Sequence, residues 1–181
     1  MTARRMTDDI MISVLLSVQP EWVDRICTVI GERNGLPVYE KEDEVRKSRP
    51  GLSVPFKVYI YESRRRKKVI GHFICDLITA IKAENRIQAY YNNTKKTCLT
   101  DDQLMRYAGG KKVYFWHISA LKIYDKPREL KEFKRPCDGN CQECSFALWQ
   151  TNTFISESRI VGCTQRIKAP QSWCYVMEEG T

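Results

Sequence analysis

The sequence predicts an α+β fold with a small barrel-like sheet, two or three helices and a cysteine-containing insert. Three observations lead to this prediction. Short apolar segments with the length and alternation of β-strands recur along the chain, and only a few segments have helical periodicity. Strands and helices do not alternate in the regular way that parallel βαβ folds require. Several cysteines cluster in one region of the C-terminal part of the chain.

The length and composition indicate a single folded domain. The chain has 181 residues, and 43% of them are hydrophobic, which is enough for a real core. We expect residues 1–10 to form a flexible tail and residues 11–181 to form one domain, with residues 136–168 as the insert. No apolar run has membrane-spanning length, and the N-terminal segment lacks the pattern of a signal peptide. We therefore expect a cytoplasmic protein with no membrane association, in a reducing compartment that disfavours disulfides.

The first part of the chain predicts a strand followed by a helix. Ile12–Val18 alternates weakly and reads as a buried strand. Pro20 suits the first turn of a helix, and apolar residues recur at helical spacing from there to Ile30. Gly31 and the pair Asn34–Gly35 predict the end of this helix.

A pair of strands follows after a loop rich in proline and glycine. The segment PFKVYIYES alternates with period two, so that Phe56, Val58 and Ile60 share one face. The segment VIGHFICDLITAIK, residues 69–82, is almost continuously apolar and predicts a second strand. The basic segment between them predicts a loose hairpin.

The last part of the chain predicts one more helix and two more strands. Thr100 followed by Gln103 is the pattern of a capping box, which predicts a short helix there. Residues 112–125 predict a strand, Asp125–Pro127 a turn, and residues 172–179 the final strand.

The cysteine cluster predicts a structural zinc site. Cys137, Cys141 and Cys144 form C-x3-C-x2-C, and tetrahedral zinc needs thiolates held close together on such a turn. Cys163 is our candidate for the fourth ligand. One alternative is a loop of free cysteines. Another is an iron–sulfur cluster of the radical enzymes, although the α/β barrel pattern of those enzymes is absent from the sequence.

The charge balance favours an anionic partner. Lys and Arg number 30 against 22 Asp and Glu, which gives a net charge of +8, and nucleic acid is the commonest anionic partner of such proteins. The densest basic run lies between the two hairpin strands and consists of Arg64, Arg65, Arg66, Lys67 and Lys68. Such a cluster attracts phosphates and loses this attraction as salt increases. The alternative is a solvated loop that maintains solubility.

A second charged stretch, YEKEDEVRKSRP, follows the first helix. It contains the spacing Lys41-x-x-Glu44-x-Arg46, and Lys47 and Arg49 add two further cations. A polar pocket wall would have this composition, and so would a solvated loop. Glu44 and Arg46 share a face if the segment is extended, so a purely structural salt bridge is another reading.

This stretch and several later segments resemble the ASCH family. The family signature is G-x-K-x-x-E-x-R just after the first helix, and the fold is a small β-barrel related to the PUA RNA-binding domain. The segments VLLSVQPEWVDRI, EVRKSRP, PFKVYIYES, VIGHFICDLI, WHISALKIYDKPREL and APQSWCYVMEE are similar to phage and prophage members of the family. Two features depart from the pattern: Tyr39 stands at the signature glycine, and the preceding loop is longer than usual.

The resemblance implies an RNA- or nucleotide-binding module with a cleft at the barrel mouth. Lys41, Glu44 and Arg46 would line the cleft. Arg46 would supply a planar donor for a phosphate or a base edge, and Lys41 a cation or, if desolvated, a base. Glu44 would orient both cations or accept a hydrogen bond from a base amine.

The resemblance also leaves two other functions open, an enzyme and a protein-interaction module. Some small ASCH proteins are amidohydrolases of acetylated cytidine with a lysine, a threonine and a glutamate. The catalytic threonine of these amidohydrolases corresponds in position to Glu44 of this chain. Their catalytic glutamate would fall near Thr97, where this chain has no acid in the matching place. Others are ribonucleases, and in either case Lys41, Glu44 and Arg46 are the candidate catalytic residues. In the third function the cysteine insert docks a protein partner. Of these readings, we favour a binding module without catalytic activity.

Overall fold

Strands make up most of the elements in the part of the chain that the structure describes. The computed structural model describes residues 12–82, 95–137, 161–163 and 167–178. The first elements are β1 (Ser13–Val18), α1 (Pro20–Cys27), β2 (Val29–Arg33), β3 (Leu36–Tyr39), β4 (Asp43–Arg46), β5 (Phe56–Glu62), β6 (Lys68–Cys75) and β7 (Ile78–Lys82). The later elements are α2 (Asp101–Ala108), β8 (Lys112–His117), β9 (Ser119–Arg128), a 3-10 turn (Leu130–Glu132), β10 (Phe133–Lys134), β11 (Pro136–Cys137), β12 (Val161–Gly162) and β13 (Trp173–Glu178).

A six-stranded sheet in the order β10-β13-β1-β5-β6-β9 forms the centre of the fold. It is curled into a half-barrel, which confirms the predicted α+β class with a barrel-like sheet. β1 pairs with β5 in parallel, with Val18 opposite Glu62, whereas β5 and β6 form the predicted antiparallel hairpin. The carboxyl ends of β1 and β5 therefore lie side by side at one edge of the sheet.

Both faces of this sheet are covered by buried side chains. Phe56, Val58 and Ile60 of β5 belong to one apolar cluster. Tyr59 and Tyr61, on the opposite face of the same strand, belong to a second cluster. The central strands are apolar on both sides because each side meets its own core.

A three-stranded sheet, β4-β8-β7, and the helix α2 form a third core. The capping box predicted for α2 is confirmed. Thr100 Oγ1 accepts a hydrogen bond from the Gln103 backbone N–H at 3.2 Å, and Gln103 Oε1 accepts one from the Thr100 backbone N–H at 2.9 Å. Leu104 and Ala108 on α2 then pack beside Val45 of β4. The helix thus lies against the strand that carries Glu44 and Arg46.

The first helix is shorter than the sequence predicts. It ends at Cys27, and the apolar residues after it form the hairpin of β2 and β3 instead of a further turn of helix. Asn34 and Gly35 have φ of 54° and 77°, the left-handed conformation that a tight hairpin turn requires. The sequence predicted that the apolar face of the helix extends to Ile30. This prediction was wrong, because Ile30 is 62% exposed.

Two predicted strands are each divided between two sheets. Residues 69–82 form β6 and β7, with a break at Asp76 and Leu77. Residues 112–125 belong to β8 and β9, with a break at Ile118. The turn predicted at Asp125–Pro127 was wrong, because these residues lie inside β9.

The remaining predictions fall into two groups. The first strand and the final strand are confirmed as β1 and β13. The tail of residues 1–10 and most of the insert, residues 138–160, lie outside the described residues. Among the residues that the structure describes, no helix is long and apolar enough to cross a membrane.

The close contact between β6 and β9 generates a stability prediction at Gly71. A Cβ atom on Gly71 would clash with the carbonyl oxygen of Lys122 and lie 3.1 Å from the Cα of Ile123. We expect Gly71→Ala to lower the free energy of unfolding by about 1–3 kcal/mol, because the two strands would have to separate. Urea unfolding measures the change.

Gly31 in the β2–β3 hairpin is the matched control. A Cβ atom there would meet no atom within 4 Å of the described structure. Gly31→Ala should therefore change the free energy of unfolding by less than about 0.5 kcal/mol. Equal effects at both glycines would contradict the close packing of β6 against β9.

Candidate functional site

A cavity of about 770 Å³ opens where β1, α1, β4 and α2 approach one another. Its walls come from the end of β1, the first turn of α1, the segment Lys41–Arg46, the turn after β5, and α2. We call this cavity the cleft. The parallel pairing of β1 with β5 accounts for part of its shape, because Val18 and Ser63 meet there: the Ser63 N–H donates to the Val18 carbonyl at 2.9 Å.

Lys41, Glu44 and Arg46 come together in the wall of the cleft. Lys41 Nζ lies 3.3 Å from Glu44 Oε2, and Arg46 Nη2 lies 2.7 Å from Glu44 Oε1. Lys41 also donates to the carbonyl oxygen of Thr97 at 2.8 Å, and Arg46 to that of Ser17 at 3.1 Å. Lys41 and Glu44 are only 3% and 6% exposed. These three residues, the charged triad, therefore form a geometrically fixed set, in which Arg46, with a side chain that is 13% exposed, is the most accessible member.

The triad keeps its charges despite burial. Burial alone raises the pKa of the Glu44 carboxyl, but the positive charges of Lys41 and Arg46 outweigh this effect and hold the pKa below its ordinary value. At neutral pH the triad has two cations and one anion. It therefore presents one net positive charge to the cleft.

Two atoms of the triad are buried without a hydrogen-bond partner among the described residues. They are Glu44 Oε2, which is held only by its ion pair with Lys41 Nζ at 3.3 Å, and Arg46 Nε, a donor. Buried polar atoms are usually satisfied, because an unmade hydrogen bond costs about 1–3 kcal/mol. Both atoms are shielded from the cleft, so a ligand there would meet the accessible part of Arg46, whose side chain is 13% exposed.

Aromatic rings lie on two sides of the cleft. The Lys41 ammonium lies 5.4 Å from the centroid of the Trp22 ring, and the Lys47 ammonium lies 5.0 Å from that of Tyr107. Burial raises the pKa of the Tyr107 hydroxyl, against the opposing charge of Arg46, so Tyr107 is a neutral donor at neutral pH. Sequence reasoning treated Trp22 as part of an apolar helix face and did not select Tyr107.

The other predicted site residues near the triad lie outside the cleft wall. Lys47 stands over the Tyr107 ring, whereas Arg49 is exposed and donates to the Pro50 carbonyl at 3.4 Å. Arg106 on α2 lines the cleft, although the sequence did not single it out. Its only signal was its position in the last turn of the capped helix.

The basic run of the hairpin tip is divided by its ion pairs. Arg64 lines the cleft, and Lys67 is exposed. The cations Arg65, Arg66 and Lys68 instead pair with carboxylates of the protein. The run is therefore not a uniform phosphate-binding surface.

The structure describes two of the four predicted zinc ligands. Cys137 and Cys163 are 4% and 1% exposed, and they lie at the small β11–β12 ladder. The Cys163 N–H donates to the Arg135 carbonyl at 2.7 Å. Cys141 and Cys144 fall outside the described residues, and the described residues alone contain no group of three or more metal-binding side chains.

Known structures share this fold. The ASCH protein from Zymomonas mobilis has 18% sequence identity and a TM-score of 0.56, over 90% of this chain and 86% of that chain. A serine-to-alanine mutant of the same protein has 18% sequence identity and a TM-score of 0.56, over 92% of this chain and 89% of that chain. A tyrosine-to-phenylalanine mutant has 16% sequence identity and a TM-score of 0.54, over 90% of this chain and 88% of that chain. No protein-family model and no curated protein matches the sequence. The chain thus has the fold of the ASCH protein.

The buried charge of Glu44 generates a prediction about stability and pH. Glu44→Gln leaves two buried cations without a counter-charge, so we expect it to lower the free energy of unfolding by about 3 kcal/mol at pH 7. Because folding lowers the pKa of this carboxyl from its ordinary 4.5, ionisation stabilises the folded state. This contribution is full above about pH 5 and is lost as the pH falls through the folded pKa. Urea unfolding at pH 7, 5 and 4 should show the variant and the wild type converging at low pH.

Glu40→Gln is the matched control. Glu40 pairs with Arg25, and the two side chains are 32% and 45% exposed. Its loss should cost less than about 1 kcal/mol, as is usual for surface ion pairs. A Glu44→Gln effect that is equally small, or equally large at pH 7 and pH 4, would contradict the buried ionised triad.

Proposed function

We propose that this protein is an RNA- or nucleotide-binding module of the ASCH family, and that the cleft is its binding site. The observation that carries the proposal is the charged triad in the wall of the cleft: Lys41, Glu44 and Arg46 form a fixed set with one net positive charge. The ASCH fold and the signature spacing Lys41-x-x-Glu44-x-Arg46 support the family assignment. The phage and prophage subgroup rests on sequence resemblance alone.

The charges around the cleft favour an anionic ligand. Arg64 and Arg106 lie in its walls and add two positive charges to that of the triad. The whole chain has a net charge of +8, which favours encounter with nucleic acid. A phosphate at the mouth of the cleft would face these arginines.

The size and walls of the cleft favour an unpaired nucleotide over a duplex. A volume of about 770 Å³ lies within the range of small-ligand pockets, about 300–1,000 Å³. Trp22 and Tyr107 supply aromatic faces, on which unpaired bases stack. The exposed part of the Arg46 guanidinium would then donate to the edge of a base.

We propose binding without catalysis. The Tyr107 hydroxyl is protonated at neutral pH even at its ordinary pKa of 10, and burial raises this pKa further, so Tyr107 does not provide a general base. Lys41 Nζ and Arg46 Nη2 are both engaged by Glu44. A ribonuclease or a nucleoside amidohydrolase is the enzymatic alternative, and the test below distinguishes the ribonuclease directly.

The binding proposal predicts a salt-sensitive complex with single-stranded RNA. In a gel-shift titration with end-labelled RNA, three phosphate contacts would weaken binding about 20-fold between 50 and 200 mM salt. Arg106→Ala should reduce the salt slope by roughly 0.7, because one phosphate contact is lost. Arg46→Ala should weaken binding about 10- to 100-fold, because charge-assisted hydrogen bonds to the ligand are lost.

Lys122→Ala is the control, because Lys122 is an exposed cation of β9 away from the cleft walls. Circular dichroism of each variant shows whether it is folded. Binding that is equal in wild type, Arg46→Ala and Arg106→Ala would refute the cleft as the site. Shorter labelled RNA products that disappear in Arg46→Ala would establish a nuclease instead.

We also propose that Cys137, Cys141, Cys144 and Cys163 hold a structural zinc ion. The burial of Cys137 and Cys163 suits this site. Cys137 pairs with Val161 in the ladder, so Cys137 and Cys163 are diagonal neighbours on one face. Four other cysteines that the structure describes, Cys27, Cys75, Cys98 and Cys174, are free thiols. Free thiols persist in reducing compartments, so we propose a cytoplasmic location.

The zinc proposal predicts about one zinc ion per chain in the purified protein, measured by elemental analysis after dialysis. Cys137→Ser and Cys163→Ser should each lose the metal, since three ligands hold zinc less firmly than four. Cys98→Ser, which changes a partly exposed cysteine elsewhere, should retain it. Zinc-free wild-type protein, or equal zinc in all variants, would refute the site.

A further inference from the structure

The turn between β5 and β6 is attached to the end of β1 and to α1. The Ser63 N–H and hydroxyl both donate to the Val18 carbonyl, at 2.9 and 3.1 Å. The Arg65 N–H donates to the Ser63 carbonyl at 2.9 Å and closes the turn. Arg64 lies between these attachment points.

Two acids hold the side chain of Arg65. Its Nε donates to Glu62 Oε1 at 2.7 Å, and its two terminal nitrogens reach the two oxygens of Asp24 at 2.6 and 3.2 Å. This bidentate hydrogen bond from Arg65 lowers the pKa of the Asp24 carboxyl. Glu62 is fully buried and also pairs with Arg66 at 3.3 Å. We call Asp24, Glu62 and Arg65 the acid clamp.

The clamp separates the cations of the tip into two groups. Arg65 and Arg66 neutralise Glu62 and Asp24, and Lys68 pairs with Glu129 at 2.8 Å. Arg64, in contrast, makes no ion pair with any residue that the structure describes, and it is one of the residues that line the cleft. One cation of the tip is thus directed to the cleft while its neighbours are engaged elsewhere.

The backbone of Arg64 is held in an uncommon conformation. Its φ is 69°, in the left-handed region that residues other than glycine rarely adopt. Such a conformation costs free energy and persists only where surrounding contacts impose it. The hydrogen bonds of Ser63 and Arg65 on either side are contacts of this kind.

We infer that Arg64 is the residue of the hairpin tip that binds a phosphate of the nucleotide in the cleft, and that the acid clamp positions it there. This inference rests on the proposed function of the cleft. It assigns Arg65, Arg66 and Lys68, which pair with carboxylates, a structural role. Asp24 is then a positioning residue that assists anion binding even though its own charge repels an anion.

The two possible roles of Asp24 predict opposite effects of its removal on the affinity for RNA. If Asp24 acted only through its charge, its removal would strengthen RNA binding, because a negative charge near the cleft would be lost. If it positions Arg64 through Arg65, its removal weakens binding. Glu21→Ala is the matched control, since Glu21 is an exposed acid of α1 without an ion pair among the described residues.

The test is a gel-shift titration of the full chain with end-labelled single-stranded RNA at several salt concentrations. We expect Arg64→Ala to weaken binding about fivefold, as for one partly exposed ion pair, and to reduce the salt slope by roughly 0.7. Asp24→Ala should weaken binding by about threefold or more, whereas Glu21→Ala should leave it unchanged or slightly stronger. Adding Asp24→Ala to Arg64→Ala should cause no further loss, because the residue that the clamp positions is already absent. Urea unfolding of each variant checks that it is folded.

The outcomes separate this inference from the proposed function. If Arg46→Ala weakens binding and Arg64→Ala does not, the cleft binds RNA but the role of Arg64 is refuted. If Asp24→Ala strengthens binding as Glu21→Ala does, or adds a full further loss to Arg64→Ala, the positioning role is refuted. If wild-type protein binds no RNA at 50 mM salt, the proposed function itself fails.

Discussion

The ionised carboxylate of Glu44, buried between Lys41 and Arg46, is the interaction on which the cleft depends. A buried cation without a counter-charge costs several kcal/mol, so the two cations keep their places only while the carboxylate holds them. Each cation also donates to a backbone carbonyl: Lys41 to Thr97, just before α2, and Arg46 to Ser17 of β1. One network of charges and hydrogen bonds thereby joins three distant parts of the chain around one cavity. Ligand-binding groups fixed in this way lose little freedom when a ligand binds.

The parallel pairing of β1 with β5 brings a second set of groups to the same place. Parallel strands end on the same side of a sheet, so the turn after β5 lies beside the end of β1 and the start of α1. Glu62, at the end of β5, then acts as Glu44 does: it is a buried carboxylate that engages two cations, Arg65 and Arg66. In both cases a buried carboxylate holds two cationic side chains in place. These acids fix which cations are engaged by the protein and leave Arg64 at the cleft.

Much of the fold could be predicted from local sequence patterns. The alternating strand β5, its hairpin with β6, and the capping box of Thr100 and Gln103 are each encoded within a few neighbouring residues, and each is confirmed. The end of the first helix was misjudged, although the pair Asn34–Gly35 is a strong signal for a hairpin turn. Apolar periodicity outweighed that signal because short apolar runs suit a helix or a strand equally. The division of residues 69–82 between two sheets had no such local signal.

For the candidate site, the sequence by itself determined the composition and spacing of the charged triad and of the basic hairpin tip. Only the tertiary structure decided which of these residues meet and which are already engaged. Lys41 reaches the carbonyl of Thr97 across 56 positions of sequence, and Arg65 reaches Asp24 across 41. Tyr107 came to the cleft in the same way, through the packing of α2 beside β4. The physical reason is that periodicity and capping report which side of an element is buried, whereas a binding site depends on contacts between elements that only the path of the chain brings together.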